Sequence, residues 1–395
     1  MNYQSLPAHA TRLFCLLLIL CASLLLPGVK AQPAQRQPTP NDTLKTPQAL
    51  ADKRVVFKIY APKADEVTVS GDFLSDNKPL SLTKNEQGVW SVTVGPLKPD
   101  YYTYTLMVDG VRTADPKNPV IKQGISSLEN VLLVPGQETS FEDITTVPHG
   151  EVREVWYSSS SLGTMRRMHV YTPPGYEKGA TKYPVFYLLH GGGDDDSGWN
   201  TVGRAGFIMD NLLAAGKVKP MIVVMPNGSM PLPPSTGTGT TPSTQALTSM
   251  RSMFANEFRN DIMPYVEKSY RTLPKAENRA LAGLSMGGFQ TLDLTLTNPE
   301  LFNYVGVFSS GFFGPTIDEA ENQYAKALGD PNFNKSKKLF WVGIGKNDFV
   351  MDANKKTLAL LDKHNIKYQY KETEGGHTWT YWRQYLNEYA QMLFK

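Results

Sequence analysis

The sequence predicts the α/β fold class, with a large domain built on a mostly parallel sheet and a small all-β sandwich in front of it. Two observations lead to this prediction. Residues 55–108 alternate apolar and polar side chains with a period of two, which is typical of strands that bury one face. After residue 185, short continuous apolar runs alternate with segments whose apolar residues recur every three or four positions, which predicts parallel strands separated by helices.

Residues 1–31 have the pattern of a secretory signal peptide. Arg12 stands in a polar start, an apolar run covers residues 13–26, and Ala31 ends a plausible cleavage site. The apolar run is shorter than the roughly 20 residues that a spanning helix needs, and no later segment comes close. We therefore expect a secreted or periplasmic protein, cleaved near Ala31, without a membrane span.

Both cysteines, Cys15 and Cys21, lie inside the predicted signal peptide. The mature chain is therefore expected to have neither disulfides nor thiol chemistry. A lipid anchor on Cys21 is the alternative, but Leu20 stands where a small residue is expected before a lipidated cysteine. The formal net charge of the full chain is +3, and removal of Arg12 and Lys30 leaves it near neutral. Without a basic cluster, we expect no nucleic-acid partner.

The remaining residues divide into four segments. Residues 32–50 are rich in Pro, Gln and Thr and lack periodicity, which predicts a linker. Residues 51–136 predict a small antiparallel, immunoglobulin-like sandwich. Residues 137–150 predict a second linker, and residues 151–395 the large domain. The strands predicted in the sandwich are 55–60, 66–70, 89–94 and 101–108. The large domain has predicted strands at 185–189, 221–225, 279–283, 304–309 and 339–343, and helices at 254–270, 288–297, 353–364 and 381–394.

The strongest chemical signal is the sequence Gly283-Leu284-Ser285-Met286-Gly287, which fits G-x-S-x-G. A predicted strand precedes it and a predicted helix follows, as this motif requires. Small residues two positions before and after the serine allow a sharp turn that exposes the hydroxyl at the helix N-terminus. Ser285 is therefore the candidate nucleophile.

A second motif, His190-Gly191-Gly192-Gly193, follows the predicted strand 185–189. Such a run can supply a backbone N–H that joins the N–H of Met286 in an oxyanion hole. Gly191 and Gly192 are the candidates, although sequence does not decide which glycine donates. The alternative is that these glycines only form a tight turn.

The candidate base is His377, which follows Gly375-Gly376 near the C-terminus. The candidate acid is Asp348, after the strand 339–343, because the chain order Ser, acid, His places both there. Asp352 is the alternative acid, but its position just ahead of a helix predicts an N-cap. The other histidines of the mature chain fit less well, since they fall in a linker, a strand, the glycine turn and a helix end: His149, His169, His190 and His364.

The large domain resembles a known family over residues 149–395. The phrases RRMHVYTPPGY, LLHGGG, GLSMGG and GGHTW, followed by Trp382-Arg383, are similar to the esterase family of bacterial feruloyl esterases, acetylxylan esterases and the enterochelin and esterase D relatives, which is carbohydrate esterase family 1. The resemblance implies an α/β-hydrolase catalytic domain and a serine carboxylesterase that acts through an acyl-enzyme. Acyl transfer of this kind needs neither a metal nor an organic cofactor, and no His and carboxylate cluster has ligand spacing for a metal.

The small domain has a resemblance of its own over residues 52–136. The phrases VVFKIYAPKADEVTVSGDF, GVW, YYTYTLMVDG and ADPKNP resemble the early-set module beside glycogen-branching enzymes, a CBM48-like domain. After Gly71-Asp72-Phe73 that family usually carries a Trp, whereas Leu74 follows here. We therefore expect a structural or substrate-shaping role rather than glucan binding. This order of domains is similar to that of feruloyl esterases from gut plant-fibre degraders.

Four aromatic residues flank the predicted site and are candidates for substrate binding: Trp199, Phe312, Phe313 and Trp379. A planar hydroxycinnamoyl group stacks well on such side chains. The alternative for each is ordinary core packing. Residues 229–244, polar and rich in Pro and Gly, predict a loop over the pocket or a surface for polymer chains.

The expected substrate is feruloylated arabinoxylan or a feruloylated xylo-oligosaccharide. Acetylxylan or a siderophore ester is the alternative within the esterases, and acyl transfer to a sugar is an alternative reaction. The alternative without catalysis is a carbohydrate-binding protein on an inactive esterase scaffold.

Overall fold

The computed structural model describes residues 36–74, 78–137, 140–231, 244–313 and 316–395, and for residues 244–248 only the backbone. The predicted signal peptide lies outside these residues. Contacts divide the chain into two units, Met1–Thr43 and Leu44–Lys395. The described part of the first holds one short 3-10 turn, Pro40–Asp42. Everything below concerns the second unit.

The small domain is a sandwich of two antiparallel sheets. One has the strand order β1-β2-β6-β5, and the other has the order β4-β3-β7-β10-β9 with β8 paired to β7. Alternate residues of these strands, such as Phe57, Val69 and Leu106, are buried between the sheets, as the period of two predicted. The strands are β1 Gln48–Ala49, β2 Val55–Tyr60, β3 Val67–Gly71, β4 Leu80–Ser81, β5 Thr83–Lys84, β6 Val89–Val94, β7 Asp100–Val108, β8 Val111–Thr113, β9 Ile121–Gln123 and β10 Leu128–Val134.

The predicted linker 32–50 is corrected at its end. Gln48 and Ala49 pair with β2 as an edge strand, and the buried Thr46 donates a hydrogen bond to Asp115 at 3.2 Å. A two-residue strand is held by backbone hydrogen bonds alone, so it leaves no hydrophobic period in the sequence.

The large domain contains an eight-stranded sheet of order β11-β12-β14-β13-β15-β16-β17-β18. Strand β12 is antiparallel to both of its neighbours, β11 and β14. All other neighbouring pairs in this sheet are parallel. Every residue of β13, β14, β16 and β17 is buried, as expected of parallel strands covered on both faces. The strands are β11 Glu151–Ser159, β12 Thr164–Thr172, β13 Val185–Leu189, β14 Ile222–Pro226, β15 Arg279–Leu284, β16 Tyr304–Phe308, β17 Leu339–Gly345 and β18 Gln369–Thr373.

Helices cover both faces of this sheet and give it two apolar layers. One layer includes Phe254, Leu292 and Leu360, and the other includes Ile208 and Tyr389. None of the described helices is long and apolar enough to cross a membrane. The helices are α1 Ala205–Ala214, α2 Thr244–Glu257, α3 Met263–Ser269, α4 Met286–Thr297, α5 Ile317–Gln323, α6 Ala325–Leu328, α7 Phe333–Ser336, α8 Met351–Lys363 and α9 Trp379–Ala390.

The predicted helix 254–270 is divided in the structure. A π-helical turn, Phe258–Ile262, joins α2 to α3, and Pro264 stands in the first turn of α3. Because proline has no N–H to donate to the preceding turn, the regular ladder is interrupted at this point. Apolar periodicity continues across the interruption, so the sequence pattern does not reveal it.

Residues 137–150 were predicted as a linker, but their described part packs against both domains. Glu142 is buried and forms an ion pair with the buried Arg383 of α9, whose guanidinium also binds Asp100 and donates to the carbonyl of Tyr101 at 2.9 Å. Asn211 of α1 donates to the carbonyl of Phe141 at 3.1 Å. The sandwich and the large domain are therefore joined by buried polar contacts.

Candidate active site

Ser285 lies between the end of β15 and the start of α4. Its backbone has φ 50° and ψ −115°, a conformation that a residue with a side chain rarely adopts. The backbone is fixed on both sides, since its N–H donates to the carbonyl of Phe308 at 2.9 Å. Its carbonyl accepts from Ser310 Oγ at 2.6 Å and from the N–H of Phe289 at 3.0 Å. The structure therefore has the strained turn that G-x-S-x-G predicted.

The glycines around Ser285 are sterically required. A Cβ on Gly287 would lie 2.5 Å from the carbonyl oxygen of His190, and one on Gly288 would lie 2.5 Å from Cβ of Ser310. A Cβ on Gly283 would collide with the Gly287 carbonyl. The strand and the helix approach each other closely only because these side chains are absent.

The glycine segment 191–193 lies beside the serine. A Cβ on Gly191 would be 3.4 Å from Cβ of Ser285, and Gly192 lines the same cavity as Ser285. The ring of His190 is held at both nitrogens, because Nδ1 lies 2.8 Å from the carbonyl of Gly191 and Nε2 accepts from the N–H of Gly228 at 2.9 Å. These contacts select the neutral Nδ1–H tautomer, so His190 fixes the glycine segment rather than offering a free base.

Asp348 and His377 are in contact. The His377 Nδ1 atom lies 2.9 Å from Oδ1 and 3.0 Å from Oδ2 of Asp348, whose carboxylate is buried after β17. Asp348 Oδ1 also accepts from the N–H of Val350 at 3.0 Å. A carboxylate at Nδ1 favours the proton on that nitrogen and leaves Nε2 free to act as a base.

The loop that carries His377 is packed tightly against β17. The N–H of Asn347 donates to the carbonyl of Gly375 at 2.9 Å, and a Cβ on Gly375 would overlap the ring of Tyr381. The His377 ring contacts the rings of Phe349, at 4.4 Å between centroids, and Trp382, at 4.9 Å. These two aromatic contacts restrict the orientation of the imidazole.

Asp352, the alternative acid, lies in the first turn of α8. The N-cap of that helix is Val350, so the N-cap prediction for Asp352 is wrong by two residues. A carboxylate in the first turn still interacts favourably with the helix dipole. The other histidines bond elsewhere, His149 to Asp210, His169 to Asp196 and His364 to Glu321.

A cavity of about 330 Å³ lies at Ser285. Its wall is mostly apolar and aromatic, with an amide and a guanidinium among its polar groups. A volume of this size and lining is typical of sites for small organic groups. The lining residues are Gly192, Gly228, Met230, Met250, Arg251, Ser285, Met286, Phe289, Gln290, Phe313, Phe349 and Val350.

Three of the four predicted aromatics, Trp199, Phe312 and Trp379, do not line this cavity, and their assignment is corrected. Trp199 is 1% exposed and donates Nε1–H to the carbonyl of Leu189 at 2.9 Å. Trp379 packs edge-on against it at 5.1 Å between centroids. Phe312 is 5% exposed and stacks on Tyr324. Position next to a site loop does not fix the direction of a side chain, and these three point into the core.

Other side chains take the place of those aromatics at the cavity. Phe289 and Gln290 follow Ser285 by one helical turn on α4, so the elbow motif itself could have indicated them. Phe313, the fourth predicted aromatic, does line the cavity from the loop after β16, and the 78% exposed Phe349 comes from the loop after β17. Met230 is the second residue of the predicted loop 229–244, most of which lies outside the described residues. Among the residues that the structure describes, no group of three His, Cys, Asp or Glu could hold a metal ion.

Comparison with known proteins identifies the family. Residues 159–393 match the model of the family described as "Putative esterase". The chain belongs to this esterase family. It is a carboxylic ester hydrolase, and the predicted esterase resemblance is confirmed. Residues 45–120 match the model of carbohydrate-binding module 48, the isoamylase N-terminal domain, which confirms the resemblance of the sandwich.

Two curated relatives of this esterase are xylanases. The endo-1,4-beta-xylanase/feruloyl esterase of Xylanibacter ruminicola is 33% identical over 93% of this chain and 47% of the relative. Endo-1,4-beta-xylanase Y of Acetivibrio thermocellus is 23% identical over 60% of this chain and 22% of the relative. The chain thus spans less than half the length of these relatives.

Solved structures support the predicted fold. A CE1 ferulic acid esterase from Anaeromyces mucronatus, solved with ferulic acid, has a TM-score of 0.55 and 27% identity, and the match covers 65% of this chain and 95% of that one. The enterobactin esterase of Shigella flexneri has a TM-score of 0.63 at 19% identity, and the match covers 86% of this chain and 92% of that one. The predicted α/β-hydrolase domain preceded by a sandwich is therefore confirmed.

Proposed function

We propose that this esterase hydrolyses hydroxycinnamoyl esters, feruloyl esters in particular, on plant cell-wall xylan. The observation that carries the proposal is the cavity at Ser285, whose apolar and aromatic wall suits a planar aromatic acyl group. The relative from Xylanibacter ruminicola is named a feruloyl esterase, and the esterase from Anaeromyces mucronatus was solved with ferulic acid. An acetyl group would leave most of such a cavity unfilled.

The reaction that we assign to the site is two-step acyl transfer. Ser285 Oγ attacks the ester carbonyl carbon while His377 Nε2 takes the hydroxyl proton. The carbonyl oxygen becomes an oxyanion that accepts from the N–H of Met286 and from an N–H of Gly191 or Gly192. The C–O bond to the alcohol then breaks, and His377 returns the proton to the leaving oxygen.

The second step repeats this sequence with water. His377 takes a proton from a water molecule, the hydroxide attacks the acyl carbon, and the bond to Ser285 Oγ breaks with the proton returned to that oxygen. Asp348 keeps the proton of the imidazole on Nδ1 and stabilises the imidazolium that forms in each step. This chemistry requires no cofactor.

The polar groups in the cavity wall suit an oxygenated aromatic ring. The guanidinium of Arg251 lies over the ring of Phe289, 5.2 Å from its centroid, and the amide of Gln290 donates to the carbonyl of Gly228 at 2.8 Å. Hydroxyl and methoxy oxygens are acceptors for such donors. Ferulate carries both substituents, which is why we favour it over an unsubstituted acid.

A comparison of three substrates tests the proposal. We expect kcat/KM to be higher on methyl ferulate than on a catecholate trilactone. It should also be higher than kcat/KM on an aryl acetate, once the value for the acetate is corrected for its better leaving group. On feruloylated arabinoxylan, free ferulate should be the product that appears. Preference for the acetate or the trilactone would assign the esterase to acetylxylan or siderophore chemistry instead. Ser285→Ala should abolish activity on the preferred ester, and full retention would refute the mechanism.

A further inference from the structure

The sandwich contacts the glycine segment beside Ser285 directly. Gly124, just after β9, pairs with Asp194 as an isolated antiparallel bridge, and the N–H of Ile125 donates to the carbonyl of Gly193 at 3.1 Å. A Cβ on Gly124 would collide with that carbonyl oxygen. The backbone of the sandwich therefore lies against the loop that follows β13.

A buried ion cluster reinforces this contact. Lys122 Nζ, on β9, lies 2.6 Å from Asp194 Oδ1 and 2.7 Å from Glu129 Oε2 on β10. The side chains of Lys122 and Asp194 are 9% and 8% exposed. Burial lowers the pKa of Lys122, but the adjacent Asp194 and Glu129 carboxylates outweigh it, so the pKa is raised and the amine stays charged.

Asp194 is coupled to the glycine segment through its own backbone. Its N–H donates to the carbonyl of Gly191 at 3.3 Å, which closes a turn around Gly192 and Gly193. Its carbonyl accepts from Ser229 Oγ at 3.4 Å. The position of the Asp194 carboxylate therefore limits how the peptide groups of residues 191–193 are oriented.

The next two acidic residues, Asp195 and Asp196, form ion pairs inside the large domain. Arg167, on β12, contacts Asp195 and Asp196, each at 2.9 Å, and His169 Nδ1 lies 2.8 Å from Asp196. The run 194–196 is thus held by cations from two different domains. Lys122 secures the end of the run that is next to the glycines.

We propose that Lys122 is a positioning residue of the active site: through Asp194 it fixes the glycine segment that supplies an oxyanion-hole donor to Ser285. The sandwich is then a structural part of the catalytic site. This inference rests on the proposed role of the glycine segment, and it does not depend on which acyl group the esterase prefers.

The effect of losing Lys122 should be specific to the transition state. Oxyanion donors act on charge that develops during the reaction, so a displaced donor lowers kcat and leaves KM nearly unchanged. Deleting one donor outright reduces kcat about 10²- to 10³-fold. If the glycine segment is displaced but still present, kcat should fall about 10- to 100-fold.

The test uses four variants of the full chain and an aryl acetate as substrate. In Asp194→Asn, Lys122 keeps its partner Glu129, so the fold should be preserved while the hold on the loop is weakened. Lys122→Met breaks both pairs. Both variants should lower kcat about 10-fold or more with KM within about threefold. Lys122→Arg should restore a large part of kcat, which simple destabilisation would not explain.

Glu129→Gln is the matched control. This variant also removes one carboxylate from Lys122. Because Glu129 belongs to the sandwich, the ion pair between Lys122 and Asp194 on the loop remains. The kcat of Glu129→Gln should stay within about twofold of the wild type. Equal losses of kcat in Asp194→Asn and Glu129→Gln, or a kcat near that of the wild type in Asp194→Asn, would overturn the proposal.

The two proposals can fail separately. If methyl ferulate is a poor substrate but Asp194→Asn still lowers kcat on the aryl acetate, only the assignment of the acyl group fails. If the wild type hydrolyses methyl ferulate well and Asp194→Asn is unaffected on both esters, the positioning role of Lys122 fails and the proposed function stands.

Discussion

The imidazole of His377 and the carboxylate of Asp348 make two contacts at one nitrogen, with Nδ1 at 2.9 Å from Oδ1 and at 3.0 Å from Oδ2. Such an arrangement holds the ring in one tautomer and one orientation. The carboxylate is buried and also accepts a backbone N–H. It is therefore well placed to stabilise a positive charge that forms on the imidazole.

Asp348→Asn should lower kcat on methyl ferulate roughly 10³- to 10⁴-fold, because the amide favours the wrong tautomer of His377. The geometry of the loop should survive, so the melting temperature should change little. Asp352→Asn is the matched control, since Asp352 lies in the first turn of α8. Steady-state kinetics on both variants decides between the two acids: the larger loss in Asp352→Asn would reverse our assignment.

Ser285→Gly should be more stable than Ser285→Ala. The serine backbone has φ 50° and ψ −115°, which stores about 1–3 kcal/mol when the residue has a Cβ. Glycine removes that strain but gains entropy in the unfolded chain, about 0.5–1 kcal/mol. We expect a net gain of about 1 kcal/mol over alanine, measured by denaturant unfolding. Equal stabilities would mean that the turn is not strained.

Phe313 and Phe312 should respond differently to truncation. Phe313 lines the cavity, so Phe313→Ala should reduce kcat/KM on methyl ferulate about 10-fold, with a smaller effect on an aryl acetate. Phe312 is buried against Tyr324, so Phe312→Ala should instead reduce the free energy of unfolding by about 3–5 kcal/mol. Kinetics and chemical denaturation on the two neighbours separate a pocket role from a core role. A reversed pattern would restore Phe312 to the substrate site.

Arg383→Leu should destabilise the protein by about 3–5 kcal/mol, because it leaves Asp100 and Glu142 as buried carboxylates without their cation. Lys346→Leu serves as the control, since its ion pair with Glu374 is exposed to water and should contribute at most about 1 kcal/mol. Thermal and urea unfolding of both variants test this contrast. Similar melting temperatures would show that the buried contacts of Arg383 add little.

The sequence predicted the parts of the site that depend on local sterics and chain order. The glycines at 283, 287 and 288 identify the elbow because only a small residue fits there. Asp348 and His377 follow from the chain order Ser, acid, His and from the position of Asp348 after the predicted strand 339–343. The cavity wall was not predictable in the same way. The direction in which Trp199 points is decided by packing against Trp379 and by its hydrogen bond to the Leu189 carbonyl, not by its neighbours in sequence.

Contacts between the domains were also beyond the sequence pattern. Lys122 and Asp194 are far apart along the chain, and a lone lysine on a short strand ordinarily indicates an exposed edge. Residues 137–150 look like a linker because a segment held by buried ion pairs and backbone acceptors needs no apolar periodicity. Only the folded arrangement shows that the buried Arg383 binds both Asp100 and Glu142.

The link between Arg383 and Asp100 limits how the gene for this esterase can be recombined. A large domain expressed from residue 151 onward would lack both carboxylates that bind the Arg383 guanidinium. A foreign sandwich fused in front of it would need carboxylates at the same places, as well as an ammonium opposite Asp194. The sandwich and the large domain therefore cannot be exchanged independently between esterases. A chimera should take the residues of both ion clusters from the same protein.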